Sequence, residues 1–287
     1  MTPRRGRTVT YDMPPLVEVA MSIQFDPPRG LNAAHLGAFW MTQRQDLPTV
    51  RTLPPIPSVQ DDFGGVGQWL PPALQFALTS EPDCRFQMVS SDEQWMCQLQ
   101  RNRIVVNWRR RSEQYPRFGA TWQRFREIWI SWREFLGSIG LPRTRPLIWE
   151  LTYVNRVPQG ELWTHPEDWP RVFPGLWGGP FAGPGQSQLR GFQGQWVWES
   201  SNPLARLYVE PQPGRSAEPP HHDELILSLT ARGPCTPAGD DSSSSDEGEL
   251  SRMEIGLAGG NDLIVSTFDA LTSDSAKTAW RRHAHTD

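Results

Sequence analysis

Arginine side chains are concentrated in one stretch of the chain, residues 95–145. This stretch holds eleven arginines and three glutamates, whereas the whole chain of 287 residues has a formal charge of −4. The planar guanidinium group binds carboxylates and phosphates through paired hydrogen bonds. The stretch is therefore the first candidate for a binding surface.

The sequence predicts that several of these arginines line one edge, because they flank a hairpin turn, the end of a strand and the start of a helix. Two aromatic residues lie among them, and such a surface suits gripping a phosphate backbone and stacking bases. The candidate binding residues are Arg101, Arg103, Trp108, Arg109, Arg110, Arg111, Tyr115 and Arg117. Pairing with the acidic remainder of the chain or with a protein partner is the competing interpretation, and it is the one we favour.

Residue types that perform catalysis or bind metals are present but form no recognisable site. Residues 221–224 read His-His-Asp-Glu, but neighbours on an extended chain point to opposite sides, and no second cluster completes a coordination shell. Glu18 and Glu150 occupy similar places in two predicted strands, and we interpret them as solvent-facing or salt-bridged residues. The chain has no nucleotide-binding glycine motif, nucleophile elbow or H-E-x-x-H motif. We therefore predict no catalytic residue, no metal and no cofactor.

Cysteine usage and hydropathy indicate a cytoplasmic protein. Cys84, Cys97 and Cys235 are odd in number and lack C-x-x-C spacing, which argues against a disulfide framework. The arginines near the amino terminus are not followed by the apolar segment of a secretory signal. No apolar run approaches the roughly 20 residues that cross a bilayer, so we expect no membrane association.

Hydrophobic periodicity predicts the elements of the first half. Alternation over 17–25 is typical of a half-buried strand, and a helix over 31–43 follows with Asn32 as its cap. We expect a loop over 46–72 and strands over 74–79 and 85–90. Apolar residues then change parity between 95–99 and 104–108, which predicts a hairpin with a turn at 101–102. After Pro116 an apolar stripe predicts a long helix, with Phe118, Trp122, Phe125, Trp129, Trp132, Leu136 and Ile139 on one face.

A similar series is predicted for the second half. The pattern indicates a strand over 147–157, a short helix over 165–173, strands over 189–199, 204–210 and 224–231, and a terminal helix over 253–280. The order of strand, short helix, three or four strands and long helix therefore occurs twice. The fold class is predicted to be α+β, with two pseudo-repeated halves. Each half would be a curved antiparallel sheet packed on a long helix, in a helix-grip or saddle-like arrangement.

The domain boundaries follow from these patterns. We predict a disordered arm over 1–14, a first half over 15–145, a second half over 146–282 and a tail over 283–287. An acidic, serine-rich segment over 239–249 has too little apolar surface to fold and is predicted to be a loop.

Short motifs are spread over nearly the whole chain. They are Pro15-Leu16-Val17-Glu18-Val19, Gln98-Leu99-Gln100, Asn107-Trp108-Arg109, Tyr115-Pro116, Glu150-Leu151-Thr152-Tyr153-Val154-Asn155, and Phe268-Asp269-Ala270-Leu271-Thr272 followed by Trp280. In this set and order the chain resembles a sporadically distributed bacterial family of uncharacterised proteins. It departs from that family at Asn261, where a histidine is common, at Arg281, where a glycine is usual, and at the acidic serine segment.

The resemblance implies a shared fold but no established activity. The family occurs sporadically among bacteria, which suggests that its genes are linked to mobile elements or defence. Together with the arginine-rich stretch, these observations predict a non-catalytic binding or interaction protein, whose protein partner is the product of a neighbouring gene. The alternative is nucleic-acid binding through the arginine-rich edge of the first half. An enzyme with an unfamiliar site ranks third.

Overall fold

A computed structural model describes residues 8–59, 63, 83–111, 115–177, 189, 191–217, 219–235 and 245–285. In these ranges the strands are β1 Thr8–Tyr11, β2 Leu16–Phe25, β3 Thr49–Leu53, β4 Arg85–Val89, β5 Trp95–Gln100, β6 Arg103–Arg109, β7 Pro146–Pro158, β8 Trp196–Ser201, β9 Leu204–Arg215, β10 Asp223–Pro234 and β11 Arg282–His285. The helices are α1 Ala33–Gln43, α2 Arg117–Ser138, α3 Trp169–Val172, α4 Asp246–Leu271 and α5 Asp274–Ala279. The fold is α+β, as the sequence predicts.

Among the described residues, nine strands form one antiparallel sheet in the order β3-β4-β5-β6-β2-β7-β10-β9-β8. The first long strands of the two halves, β2 and β7, pair with each other at its centre, where Met21 lies opposite Leu151. Each of these strands is flanked on its other side by the last strand of its own half, β6 or β10. The two halves therefore join through backbone hydrogen bonds at the middle of the sheet.

The long helices α2 and α4 cover one side of this sheet. The stripe on α2 is buried as predicted from Trp122 to Leu136, and Trp129 and Trp132 are completely inaccessible to solvent. Trp129 meets Phe25 of β2 edge-on, with ring centroids 5.9 Å apart. Burial of such side chains contributes about 2–3 kcal/mol each. The prediction is wrong for Ile139, which is 39% exposed because the helix ends at Ser138.

The predicted hairpin is confirmed. Trp95 lies opposite Trp108, and Leu99 lies opposite Ile104, with Arg101 and Asn102 in the turn. The parity change in the sequence therefore places both apolar sets on the helix-covered side, where Trp108 is only 1% exposed. The strand over 17–25 and the Asn32 cap are confirmed as well, since the Asn32 side chain accepts hydrogen bonds from Ala34 N and His35 N.

Helix α4 packs against the sheet through glycines. A β-carbon on Gly256 or Gly260 would lie 2.5 or 2.7 Å from the nearest atom of Trp149, which is 2% exposed. Gly233 of β10 approaches the same indole ring in the same way. The large ring of Trp149 therefore occupies the space that these three glycines leave.

The acidic segment is partly helical, which corrects its prediction as a loop over 239–249. Ser245 caps α4 by accepting a hydrogen bond from Gly248 N, and Asp246 and Glu249 lie in the first turn. Acidic groups are favourable there because they face the positive end of the helix dipole. Both carboxylates also form ion pairs with Arg133 of α2. Residues 239–244 lie outside the described ranges.

Both chain ends are ordered where they are described, in contrast to the predicted arm over 1–14 and tail over 283–287. Strands β1 and β11 pair with each other, and Thr10 lies opposite His283. The Tyr11 hydroxyl donates to Asp269 Oδ1 at 2.7 Å, and Arg282 Nη2 donates to Asp269 Oδ2 at 2.8 Å. The periodicity of two four-residue strands is too short to be recognised in the sequence.

Three further predictions need correction. Residues 49–53 form edge strand β3 inside the predicted loop, paired with β4. Strand β8 begins at Trp196, whereas the sequence predicted it from 189. The predicted terminal helix is two helices, because Thr272 is extended and Ser273 begins a new cap by accepting from Ala276 N. The predicted strand over 74–79 lies outside the described ranges.

Candidate functional site

The side of the central sheet that faces away from α2 and α4 carries polar side chains, and we call it the open face. Strand residues alternate between the two sides, so the neighbours of the core-facing residues point to it. On the central strands it comprises Glu18, Ala20, Ser22, Gln24, Arg103, Val105, Asn107, Glu150, Thr152, Val154, Ser228, Thr230 and Arg232. Several of them are buried, including Ser22, Gln24, Arg103 and Asn107. The open face is therefore a hydrogen-bonded polar layer.

Three of these side chains form one row across neighbouring strands. Arg103 of β6 lies opposite Gln24 of β2 on one side and Gln100 of β5 on the other. Arg103 Nη2 donates to Gln24 Oε1 at 2.9 Å. The three side chains are 2–8% exposed. We call Gln100, Arg103 and Gln24 the amide row.

An irregular segment of residues 54–59, which we call the strap, lies on the amide row. Gln100 donates from Nε2 to Ile56 O at 2.9 Å and accepts from Ile56 N at 2.8 Å. Gln24 donates from Nε2 to Val59 O at 3.0 Å and accepts from Val59 N at 2.9 Å. Each carboxamide therefore binds both polar atoms of one residue's main chain, as a neighbouring strand would.

An ion-pair cluster lies beside the amide row, and its members come from strands on both sides of the sheet centre. Glu150 of β7 accepts from Arg232 Nε at 2.6 Å and lies 3.6 Å from Arg103 Nη1. Burial lowers the pKa of Arg103, and the charge of Glu150 acts in the opposite direction. Two arginines on different strands thus share one carboxylate. The cluster connects β6, β7 and β10 through charge-assisted hydrogen bonds.

A second polar chain runs across the first half. Asn107 Nδ2 donates to Glu18 Oε1 at 2.6 Å, and Asn107 Oδ1 accepts from Gln98 Nε2 at 2.9 Å. Gln98 in turn accepts from Arg85. The Ser22 hydroxyl, 3% exposed, has no hydrogen-bond partner among the residues that the structure describes, although it lies opposite Glu150 in the register. The layer thus combines satisfied groups with buried atoms, Ser22 Oγ and Arg103 Nε among them, that have unused hydrogen-bonding capacity within the described ranges.

A small cleft lies on the other side of the sheet, between β1, β7, α4 and the start of α2. It encloses about 70 Å³ and is lined by Tyr115, Arg117, Tyr153 and Asn155 together with apolar residues. The hydroxyls of Tyr115 and Tyr153 are 2.9 Å apart, and Tyr153 donates to Asn261 Oδ1 at 2.7 Å. Burial raises the pKa of both phenols, which keeps them neutral hydrogen-bonding groups.

The arginines of the predicted binding edge are distributed over strand β6 and the segments on either side of it. Strand β6 lies inside the sheet between β5 and β2. Arg103 and Arg109 lie at its two ends, about 20 Å apart at 3.3 Å per residue. Trp108, which was expected to stack bases, is buried on the helix-covered side. The structure therefore places the predicted binding residues in several different environments.

The remaining predicted residues divide into anchored and exposed groups. Arg101 is half-buried in the turn, and Arg109 is half-buried at the end of β6. Arg110 donates to Pro14 O at 2.8 Å, and Arg111 pairs with Glu93 at 2.9 Å. Tyr115 and Arg117 belong to the cleft, where the Arg117 guanidinium lies 5.8 Å from the centre of the Tyr115 ring. Arg117 is exposed and has a backbone φ of 66°, a strained value for a residue with a side chain.

Two glutamates and the His-His-Asp-Glu segment are the other candidates from the sequence. Glu18 and Glu150 are both hydrogen-bonded residues of the open face, but four strand positions separate their places in the β2–β7 register. His222 lies 3.5 Å from Glu224, and the described residues contain no group of three potential metal ligands. Within the same ranges no helix is long and apolar enough to cross a membrane.

The sequence did not identify Gln24 and Gln100 as residues that bind main chain, and it did not identify the strap as the segment that they bind. One signal was present, because Gln24 and Gln100 are polar residues on strands whose alternate positions are apolar. The strap itself falls in a segment predicted only as a loop. A scan against known protein families finds no matching family, and a search of curated proteins finds no match.

Proposed function

We propose that this protein is a non-catalytic binding protein and that its open face is the contact surface for a protein partner. The observation that carries the proposal is the pair of carboxamides, Gln24 and Gln100, that bind the main chain of the strap through four hydrogen bonds. These main-chain hydrogen bonds within the chain support the proposal, because binding of a second polypeptide would use the same kind of contact. The open face is a better candidate than the predicted arginine-rich edge because Trp108 is buried on the helix-covered side and the arginines of that set lie in separate environments.

Nucleic-acid binding is the alternative, and it has less support. Several open-face arginines already have carboxylate partners: Arg103 and Arg232 share Glu150, Arg156 pairs with Glu224, and Arg206 pairs with Glu199. A phosphate backbone would have to displace these carboxylates, and the release of counterions that drives such binding would be reduced. Arg117 is the arginine of the predicted set whose charge best suits an external anion.

We also propose that residues 15–145 and 146–282 are two copies of one structural unit and that the sheet is curved like a saddle. The order of elements supports this proposal, because each half begins with a central strand, continues with a helical segment and a strand meander, and ends with a long helix. The pairing of β2 with β7 at the sheet centre is the arrangement expected for two related halves.

The proposed setting is the cytoplasm, with a partner encoded by a neighbouring gene that is linked to mobile elements or defence. The three cysteines are free, which fits a reducing compartment. Burial raises the pKa of Cys97 to about 12, so that thiol is unreactive. The resemblance to a sporadically distributed bacterial family supports the genomic part of this proposal.

The test is native mass spectrometry of the full chain co-expressed with the product of the neighbouring gene, at low salt and with the 260/280 nm absorbance ratio recorded. Ser228→Trp places a bulky side chain on the open face, and Ser251→Trp places one on the exposed side of α4 as a matched control. We expect a protein complex that Ser228→Trp weakens at least about tenfold, as loss of central interface contacts does. A complex lost only in Ser251→Trp would refute the open face as the contact surface.

A bound oligonucleotide, released by salt and by Arg109→Gln, Arg110→Gln and Arg111→Gln, would favour the alternative.

A further inference from the structure

The strap contains three prolines, Pro54, Pro55 and Pro57, which restrict its conformation. Proline fixes its own φ near −65° and pushes the preceding residue into the extended region. Residues 53–57 are therefore confined to an extended or polyproline-II geometry. Proline has no N–H group, and none is required at these three positions. The N–H groups that the amide row binds are those of Ile56 and Val59.

The repeat of a polyproline-II segment matches the spacing of the sheet. Three residues of this helix advance about 9.3 Å, and two strand spacings measure about 9.6 Å. Ile56 and Val59 are three residues apart, whereas Gln100 and Gln24 are two strands apart in the same row. A chain that crosses the strands at right angles in this conformation therefore meets one carboxamide with every turn.

Arg103 occupies the intermediate strand of this row. Its Nη2 lies 3.5 Å from Pro57 O, within the turn between the two bound residues. The neighbouring Asn102 donates to Ser58 Oγ at 2.6 Å. The amide row thus accepts hydrogen bonds from main-chain N–H groups that lie three residues apart in the bound segment. Between them, the Arg103 guanidinium faces a main-chain carbonyl of that segment.

The strap is held mainly by its main chain. Pro54, Pro55, Pro57 and Ser58 are exposed, and Ile56 and Val59 are half-buried. The strap therefore contributes little apolar burial, which is the dominant source of stability in folded segments. Another polypeptide with the same backbone geometry is able to form the same hydrogen bonds without filling a specific side-chain pocket.

We propose that the amide row is a recognition site for proline-rich, polyproline-II segments of a partner protein, and that the strap is its built-in occupant. This inference rests on the proposed function, because it names the class of polypeptide that the open face binds. The ligand has prolines where no amide is required and non-proline residues three apart where the carboxamides bind. The strap competes with the partner for the row, so binding in trans requires its release.

The probe is a fluorescent peptide with the strap sequence, Leu-Pro-Pro-Ile-Pro-Ser-Val, titrated with the full chain and followed by anisotropy. The unmodified protein is expected to bind weakly. Replacing the three strap prolines together, Pro54→Gly, Pro55→Gly and Pro57→Gly, increases the freedom of the strap and should tighten peptide binding at least about tenfold. Adding Gln100→Leu to this variant should abolish the gain, whereas adding Gln87→Leu, an open-face glutamine on β4, should leave it unchanged.

A control peptide with glycines in place of the prolines should bind roughly tenfold more weakly, because it is not held in the bound conformation beforehand. Equal affinity for both peptides, or a gain that survives Gln100→Leu, would overturn the proposal. If the triple variant does not fold, hydrogen exchange in the unmodified protein tests whether the peptide and the strap share a site. A saturating excess of the proline peptide should speed exchange of the Ile56 and Val59 amides, and unchanged rates would contradict a shared site.

Failure of this inference and failure of the proposed function are distinguishable. A protein partner that is captured through the open face, as judged by Ser228→Trp, while no variant binds the peptide, would leave the proposed function standing and remove this inference. Peptide binding that depends on Gln100, with no partner captured through the open face, would support the amide row as a peptide site and count against the neighbouring gene product as the partner.

Discussion

Gln24 and Gln100 lie on two strands separated by β6, and their carboxamides hold Val59 and Ile56 of a single extended segment. Both side chains are nearly inaccessible, with exposed fractions of 8% and 2%. Each accepts one main-chain N–H and donates to the carbonyl of the same residue. A buried amide that loses such partners costs about 1–3 kcal/mol, so the strap and the amide row stabilise each other.

Hydrogen exchange of the strap tests this relationship directly. Gln100→Leu removes the acceptor of the Ile56 amide, so we expect that amide to exchange roughly 10- to 100-fold faster, which corresponds to the loss of one or two hydrogen bonds. Gln87→Leu is the control, because Gln87 shares the open face but is not among the described residues that hydrogen-bond to the strap. The measurement is residue-resolved exchange by NMR. Equal rates for Ile56 in both variants would show that the carboxamide contributes nothing to holding the strap.

The ion-pair cluster should be more important for stability than exposed pairs of the same type. Glu150→Gln leaves Arg103 and Arg232 without their shared carboxylate, and the side chains of these two arginines are 5% and 17% exposed. We expect the free energy of unfolding to fall by about 3 kcal/mol, as for other broken buried pairs. Glu93→Gln breaks the exposed pair with Arg111 and should cost less than about 1 kcal/mol. Urea denaturation measures both, and similar losses in the two variants would be evidence against a dominant role for the cluster.

The glycines around Trp149 should not tolerate a methyl group. In Gly260→Ala the new β-carbon would lie 2.7 Å from Trp149 Cζ3, so the indole or the helix has to shift. We expect destabilisation of about 1–3 kcal/mol from overpacking. Gly119→Ala in α2 is the matched control, because no atom lies within 4 Å of its new β-carbon, and it should stabilise the helix by about 0.5 kcal/mol. Thermal unfolding followed by circular dichroism measures both changes; a neutral Gly260→Ala would mean that α4 is free to move away from Trp149.

Acid sensitivity should depend on Asp269. Burial acts to raise the pKa of this carboxyl, but hydrogen bonds from Arg282 and Tyr11 outweigh it and hold the pKa below its usual range. Because the folded pKa is the lower one, the stabilisation is present above the unfolded pKa of about 3.9 and is lost as the pH falls through the folded value.

Asp269→Asn should therefore reduce stability at pH 7 by about 1–3 kcal/mol. The variant should also lose less further stability than the unmodified protein between pH 5 and pH 2, and urea denaturation at several pH values measures the difference. Parallel curves for the two proteins would indicate that another carboxyl group dominates the acid response. Asp274→Asn, an exposed change in α5, is the control.

The sequence by itself determined the local elements whose periodicity is long or whose turn chemistry is specific. The apolar stripe of α2 from Trp122 to Leu136, the Asn32 cap and the parity change across residues 101–102 each depend on neighbours within a few positions. The short strands β1, β3 and β11 were missed, because their four or five residues contain little periodicity and lie in segments predicted as an arm, a loop and a tail. The helical start of α4 was missed because its acidic composition resembles that of an unfolded segment.

Only the tertiary structure decided which side chains meet. Gln24 contacts Val59, Gln100 contacts Ile56, and Glu150 joins Arg103 to Arg232, over separations of 35 to 82 residues. Such contacts depend on strand order and register, and above all on the pairing of β2 with β7. Periodicity shows that a strand has a polar side, but it does not show which strands lie beside it. The environments of the predicted arginines depend on the same pairing, because β6 lies beside β2, a strand far before it in the chain.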